Sequence, residues 1–367
     1  MRARAALLIA PHEPLVVDDI ELEEPGRDEV VVRLLASGIC RSDLSYIDGK
    51  WPVPLPVVLG HEGAGVIEAV GPGVDASRVG ERVVLTFAPA CSRCRFCLEG
   101  RINLCREAAR CLDSGTLYDG TTRIRWRGRR AHHLALVSSF ATHAVVPANA
   151  AVPVTGELDP VLACLLGCGV TTGVMSVAKR ANVRPGESVA VFGCGGVGLA
   201  AVQGARLVSA IPIIALDPLP SKRKLAARLG ATHALDPLAV DPAEAIRELV
   251  PGGVDYAFEA IGVPEVADAA FRSVRDGGTT VLIGQPALGV KASFAVYDLT
   301  QFEHAVLGSN LGGSSPALHV PRLATLAAAG HLELGPLVTD RYPLERINEA
   351  VERAASGEAG RVVLELA

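Results

Sequence analysis

The stretch Ser188-Val189-Ala190-Val191-Phe192-Gly193-Cys194-Gly195-Gly196-Val197-Gly198 decides the fold. Val189 to Phe192 is an unbroken apolar run, the pattern of a strand buried on both faces. Gly193, Gly195 and Gly198 then fall at G-x-G-x-x-G spacing and open an Ala- and Val-rich helical run. Glycines at such a turn let the backbone approach a pyrophosphate, which the amides and dipole of a helix N-terminus attract. Asp217, nineteen residues beyond Gly198, ends the next apolar run, Ile213 to Leu216. A carboxylate there can accept both ribose hydroxyls of NAD and repel a 2′-phosphate, so NAD is preferred over NADP. Lys222, Arg223 and Lys224 follow closely and read as a solvated helix face, with partial accommodation of a phosphate as the alternative.

Working outward, Tyr256–Glu259 and Thr279–Ile283 continue the alternation of apolar strands with Ala-rich helices, which implies stacked βαβ units on a parallel sheet. Residues 1 to about 160 have another texture, short Val-rich runs such as Glu29–Leu35 and Arg82–Phe87 between Gly and Pro, and read as mainly β. After about residue 310 an Ala-rich helix, Leu323–Ala329, leads to a strand, Arg361–Leu366, expected to return to the first domain. The organisation expected is an α/β chain with a β-rich domain over 1–165, completed by 312–367, and a doubly wound parallel-sheet domain over 166–311.

With 367 residues, 49% of them hydrophobic and 20% charged, the chain can bury a large core, which excludes intrinsic disorder. Thirty-five Lys and Arg against 40 Asp and Glu give a net charge of −5, unfavourable for nucleic acid or an acidic membrane surface. The arginines at 123, 125, 127, 129 and 130 around Trp126 therefore read as a strand with one solvated face. The uncharged run Val161–Ala178 reaches the lower length of a membrane span, but its glycines and threonines argue for a buried helix entrance. Arg2 and Arg4 precede an apolar run too short for a signal segment, so a cytoplasmic location is expected.

The nine cysteines are odd in number and lack an export signal, which points to reduced thiols. Cys91, Cys94, Cys97 and Cys105 follow the order Cys-x2-Cys-x2-Cys-x7-Cys, able to close a tetrahedron of thiolates around a structural zinc. An iron–sulfur cluster fits less well, because its fourth cysteine usually comes three residues on and precedes Pro, whereas Arg106 follows Cys105; unmetallated thiols are the third reading. Cys40, His61 and Cys168 are dispersed and individually weak, yet two Cys and one His make a catalytic zinc set with one open position. Cys111, Cys164 and Cys194 read as small buried apolar residues.

These residues resemble the zinc-dependent medium-chain alcohol dehydrogenase family, and within it the two-zinc, liver-type branch, over essentially the whole chain. Gly60-His61-Glu62-Gly63-Ala64-Gly65 is similar to its zinc signature, and the four-cysteine lobe to its lobe. Gly167-Cys168-Gly169-Val170-Thr171-Thr172-Gly173 resembles the segment of its second catalytic cysteine. The resemblance implies a GroES-like β-rich catalytic domain with a Rossmann domain, and reversible NAD-dependent oxidation of a primary or secondary alcohol by zinc-assisted hydride transfer. It implies Cys40, His61 and Cys168 as ligands of the catalytic zinc, Ser42 as the hydroxyl bonding the substrate oxygen, Glu62 behind the metal and Asp43 orienting His61. It also implies Arg41 and Arg361 near the pyrophosphate, Thr172 and Val197 near the nicotinamide, Gly196 in the glycine turn, and Lys222 near the adenosine ribose. Trp51, Phe87 and Leu134 would line the substrate pocket, and a homodimer would pair near Phe302–Leu311.

One departure is Ser45, where the liver-type pattern commonly has histidine. Serine does not titrate near neutrality, so water completes the proton exit or the exit is rebuilt, and hydride transfer should depend less on pH. Two alternatives accompany the main expectation. One is oxidation of a hydroxymethyl-thiol adduct, for which Arg110 would hold an anionic substrate. The other is a non-catalytic zinc-stabilised binding module.

Overall fold

The computed structural model describes residues 1–366, which divide into two units: Met1–Cys168 together with the chain from Ser315 onward, and Gly169–Ser314.

In the first unit, Arg2–Leu8, Val16–Leu22, Ile124–Trp126, Arg129–His133 and Val57–Val58 close a small barrel. Beside it lies a sheet in the order Ala151–Pro153, Arg82–Leu85, Glu62–Val70, Glu29–Ile39, Arg361–Glu365, Val338–Pro343, with His143–Pro147 also on Glu29–Ile39. Glu29–Ile39 is the spine: in its eleven residues only Arg33 is exposed, as expected for a strand packed on both faces. The C-terminal strand returns onto it antiparallel, Val362 opposite Ile39 and Leu364 opposite Ser37. This register brings Arg361, at the start of that strand, beside the turn that carries Cys40.

The arginine-rich segment departs from the expected single solvated strand. It is a hairpin of Ile124–Trp126 and Arg129–His133, turned at Arg127 and Gly128, whose φ values of 51° and 76° lie in the left-handed region. Its charges are spent locally. Arg123 is buried and donates to Glu29 at 2.8 and 2.9 Å and to Asp119 at 2.6 Å, Arg125 donates to Glu23 at 2.8 Å, and Arg127 stacks 4.5 Å from the Trp126 ring.

The uncharged run Val161–Ala178 folds largely as short helical pieces, Pro160–Ala163, Cys164–Gly167 and Gly169–Met175, most of whose residues are buried. Among the described residues no single helix is long and apolar enough to cross a membrane.

The second unit is an all-parallel six-stranded sheet in the order His233–Leu235, Ile213–Leu216, Val189–Phe192, Val254–Glu259, Val274–Leu282, Ala305–Gly308. Chain order reverses between Val189–Phe192 and Val254–Glu259, the switch point beyond whose carboxyl edge ligands of such sheets bind. Gly196–Leu207 opens at that edge. This is the doubly wound Rossmann arrangement, and the chain is α/β as a whole.

Candidate active site and its metal centres

The metal site of the first unit begins at a strand end. Glu29–Ile39 stops at Cys40, which leads the helix Arg41–Ile47. Asp43, fully buried in that helix, accepts the Cys40 N–H at 2.9 Å and the Gly60 N–H at 3.2 Å. It also faces His61 Nδ1 at 3.1 Å. One carboxylate thus fixes the loop bearing Cys40, the loop bearing His61, and the imidazole itself. With Nδ1–H donated to Asp43, Nε2 is left for a ligand.

Ligand atoms of Cys40, His61, Glu62 and Cys168 all lie within 4.8 Å of one another. The electrostatics show what the group lacks. A hydrogen bond from Cys168 holds the Cys40 thiol well below its ordinary range, and that same bond raises Cys168. Burial works to lower His61, but Asp43 and the Cys40 sulfur outweigh it and raise the imidazole well above its ordinary value. Burial pushes Glu62 up to about 7 although the Arg361 guanidinium pulls it down. Two sulfurs, an imidazole and a carboxylate that share protons in a buried space are the donor chemistry of a borderline-soft divalent ion, and zinc fits them.

Arg361 is buried with its guanidinium on the Glu62 carboxylate. The physical reason is that a carboxylate with no exposed surface beside two sulfurs needs a cation. Ser42 Oγ lies 3.8 Å from Cys40 Sγ, at the rim of the donor set. Ser45 Oγ donates to the Arg41 carbonyl at 3.3 Å, bonding back within its own helix. Arg41 is exposed. The Phe87 ring stands edge-on to His61 with centroids 5.6 Å apart, and Trp51 stands edge-on to Tyr46 at 5.4 Å. Both pack against the cluster that contains buried Leu134. Arg110, half exposed, pairs with Glu107 at 3.2 Å and donates to the Tyr118 carbonyl at 3.1 Å.

The lobe gathers Cys91, Cys94, Cys97 and Cys105, whose sulfurs also lie within 4.8 Å of one another. The Cys94 N–H donates to Cys91 Sγ and the Cys91 N–H to Cys105 Sγ, each at 3.4 Å. Backbone donors from Cys97 and Arg106 bring Cys94 down to about 6, while burial raises Cys97. Four sulfurs held this way leave no position for a substrate, as in a structural zinc site.

In the second unit Gly193 has φ +91°, and a Cβ on Gly198 would stand 1.7 Å from the Gly193 carbonyl oxygen. A Cβ on Gly195 would meet nothing within 4 Å. The turn is therefore closed where helix meets strand and open where a pyrophosphate would approach, with Gly196 and Val197 part-exposed at the helix start. Asp217 is buried; its Oδ2 accepts the Cys194 N–H and its Oδ1 the Leu219 N–H, both at 2.9 Å. Thr172 is buried in Gly169–Met175, and Lys222 is half-buried in Pro220–Leu229.

Sequence reasoning passed over Glu259, whose Oε1 accepts the Ile261 and Gly262 N–H groups at 2.7 Å each. Like Asp217, it is an acidic residue closing an apolar strand at the sheet's carboxyl edge, and that position was the available signal.

Residues 26–156 match a family described as alcohol dehydrogenase GroES-like domain, and residues 196–326 one described as zinc-binding dehydrogenase. An S-(hydroxymethyl)glutathione dehydrogenase of Haemophilus influenzae is 37% identical over 99% of this chain and 97% of its own. The chain belongs to the zinc-dependent medium-chain alcohol dehydrogenase family. Among solved structures of this family, benzyl alcohol dehydrogenase from Acinetobacter calcoaceticus is 35% identical with a TM-score of 0.95, covering 100% of both chains. A zinc-binding dehydrogenase from Sinorhizobium meliloti 1021, bound to NADP, is 31% identical with a TM-score of 0.83 over 100% of this chain and 99% of its own. As a member of the family the protein is an oxidoreductase that converts an alcohol to an aldehyde or ketone, reversibly, with zinc and NAD.

Proposed function

We propose that Cys40, His61 and Cys168 hold the catalytic zinc, that Cys91, Cys94, Cys97 and Cys105 hold the structural one, and that the substrate is an alcohol with an apolar, aromatic-compatible body. The observation that carries this is the buried convergence of Cys40, His61 and Cys168, drawn from three separate parts of the chain, within 4.8 Å.

Bound there, zinc would supply Lewis acidity that favours ionisation of the substrate hydroxyl, and NAD would supply the hydride acceptor. The chain does the rest. Asp43 fixes the His61 tautomer, and the Ser42 hydroxyl, at the rim, accepts the substrate hydroxyl proton as it passes its own on. Arg361 holds the Glu62 carboxylate and balances its charge. With Ser45 bonded to its own helix, the proton leaves Ser42 through water, so the rate should lack a steep histidine-like step near pH 6–7. Phe87 and Trp51, packed on the cluster that contains Leu134, would give the substrate an apolar wall suited to a ring. Gly193, Gly195, Gly196 and Gly198 receive the pyrophosphate, Asp217 the ribose, Lys222 the adenosine side and Thr172 and Val197 the nicotinamide side, with Arg41 assisting.

The full-length likeness to S-(hydroxymethyl)glutathione dehydrogenase favours a second reading, oxidation of a hydroxymethyl-thiol adduct. The pairing of Arg110 with Glu107 competes with that substrate's carboxylates for the cation. The deciding experiment measures NADH formation from benzylic alcohols, aliphatic alcohols and hydroxymethylglutathione, alongside a metal count. Two zincs per chain and the highest kcat/KM on a benzylic alcohol are expected; a preference for the thiol adduct would overturn the substrate reading, and a metal-free active enzyme the zinc assignment. We further propose a cytoplasmic homodimer paired through the edge of the second unit's sheet.

A further inference from the structure

Asp217 is a poor place from which to tune cofactor choice, because the carboxylate that meets the ribose is also a strut of the glycine turn through the Cys194 N–H. Discrimination against a 2′-phosphate needs a second device. Arg223, in the helix Pro220–Leu229, is a cation of the type that receives a 2′-phosphate when it follows such a strand end. Here one of its nitrogens is committed to three oxygens. Its Nη1 donates to the Asp217 carbonyl at 2.7 Å, the Pro218 carbonyl at 2.8 Å and Asp236 Oδ2 at 3.0 Å. Asp236 follows the strand His233–Leu235, which lies beside Ile213–Leu216 in the sheet. It is itself pinned, since its Oδ1 accepts the Leu238 N–H at 3.0 Å.

We infer that Asp236 is a specificity-determining residue: by holding Arg223 on the strand-end carbonyls it withholds the one guanidinium of this loop from a 2′-phosphate and leaves Asp217 to face the ribose. Two carboxylates then divide the task. Asp217 repels the phosphate, and Asp236 ties up the Arg223 counter-charge, leaving Lys222 and Lys224 beside it. The inference rests on the NAD preference proposed above and adds a positioning residue to it.

Asp236→Asn is the informative substitution. Its carbonyl oxygen keeps the bond to the Leu238 N–H, while its amide group turns a donor toward the Arg223 donor and releases it. Asp236→Ser, which keeps a turn-capping oxygen but no charge, guards against a local fault peculiar to Asn. NADH and NADPH are titrated into the zinc-loaded enzyme and each Kd is read from nicotinamide fluorescence, without turnover. The expected result is that both variants lower the NADPH-to-NADH Kd ratio about tenfold, the scale of one charge-assisted hydrogen bond, and that adding Arg223→Leu abolishes the gain. A wild-type enzyme that binds NADPH as tightly as NADH would overturn the NAD preference itself. An NADH-selective wild type whose ratio does not move in either variant would overturn the role of Asp236 alone. A gain that persists without Arg223 would show that the lost charge acts directly, and would overturn the clamp.

Discussion

Asp43 connects sequence to chemistry at the scale of one residue, because a single buried carboxylate serves three partners: the Cys40 amide, the Gly60 amide and the His61 ring. Asparagine has one acceptor oxygen where aspartate has two, so Asp43→Asn leaves at least one partner unmet. Its zinc affinity at the Cys40–His61–Cys168 set should fall about 10–100-fold, the usual cost of losing such a support. Dialysis against a weak chelator followed by metal analysis should then leave one zinc per chain, held by the lobe; retention of two would refute the role. Part of this site is legible in the sequence, since Cys40, His61 and Cys168 stand in recognisable local contexts. The Arg361–Glu62 pair is not, because its members are 299 residues apart and only the return of the C-terminal strand joins them. His133 yields a prediction of another kind. Burial lowers its pKa from 6.5 to about 3, and its Nε2 accepts the Arg123 N–H at 3.2 Å. Between those two pH values the unfolded chain binds a proton that the fold refuses, so stability is complete above about pH 6.5 and falls by up to about 1.4 kcal/mol per pH unit below it. His133→Leu should flatten this acid limb while costing about 1–3 kcal/mol near neutrality, through the Arg123 amide left unpaired. Thermal unfolding from pH 8 to pH 4.5 checks both, and an unchanged acid slope would show that His133 does not set it.

At the scale of the element, the glycine turn separates two requirements that the motif merges. Gly198 is needed for packing, since its Cβ would collide with the Gly193 carbonyl, whereas Gly195 is needed for the ligand, since its Cβ would meet only open space. Gly195 has φ −75°, which alanine adopts without strain. Gly195→Ala should therefore keep the wild-type melting temperature and weaken NADH binding at least tenfold, while Gly198→Ala should lower the melting temperature and binding together. Fluorescence titration and calorimetry of both variants test the distinction, and wild-type NADH affinity in Gly195→Ala would contradict the open-cradle reading. The same contrast explains which elements sequence reveals. Val189–Phe192 and Ile213–Leu216 are read to the residue because parallel strands buried on both faces are plain apolar runs. The two-residue strand Val57–Val58 carries no pattern of its own and exists only by pairing with Arg129–His133 and Arg2–Leu8. The hairpin at Arg127–Gly128 is hidden in a charge run, and the helix Pro316–Ala328 begins well before the Ala-rich part because Pro321 reads as a breaker yet lies inside it.

At the scale of the whole molecule, the proposed homodimer turns on one surface of the second unit. Ala305–Gly308 is the last strand of its sheet, paired with Val274–Leu282, and its end carbonyl at Gly308 accepts Arg180 Nε–H at 2.7 Å. The segment leading to it exposes Leu288, Val290, Val296 and Tyr297, the last two at 70% and 67%. An unpaired edge beside apolar side chains is a template for association, and natural chains either block it or use it. No lysine or proline interrupts Ala305-Val306-Leu307-Gly308, so blocking is absent from the strand itself. A second copy related by a two-fold axis would add its own edge antiparallel to this one, extend the sheet and cover both apolar segments in a closed, self-complementary contact. The net charge of −5 per chain is too small to oppose such a contact at physiological ionic strength. Val296→Glu combined with Tyr297→Glu places like charges in that contact and should convert a dimer to a monomer, with the zinc content per chain unchanged, because both metal sites belong to the first unit. Light scattering after size exclusion, with metal analysis of the same fractions, gives both numbers. A wild-type monomer, or a double variant that stays dimeric, would show that the edge of this sheet is not where copies meet.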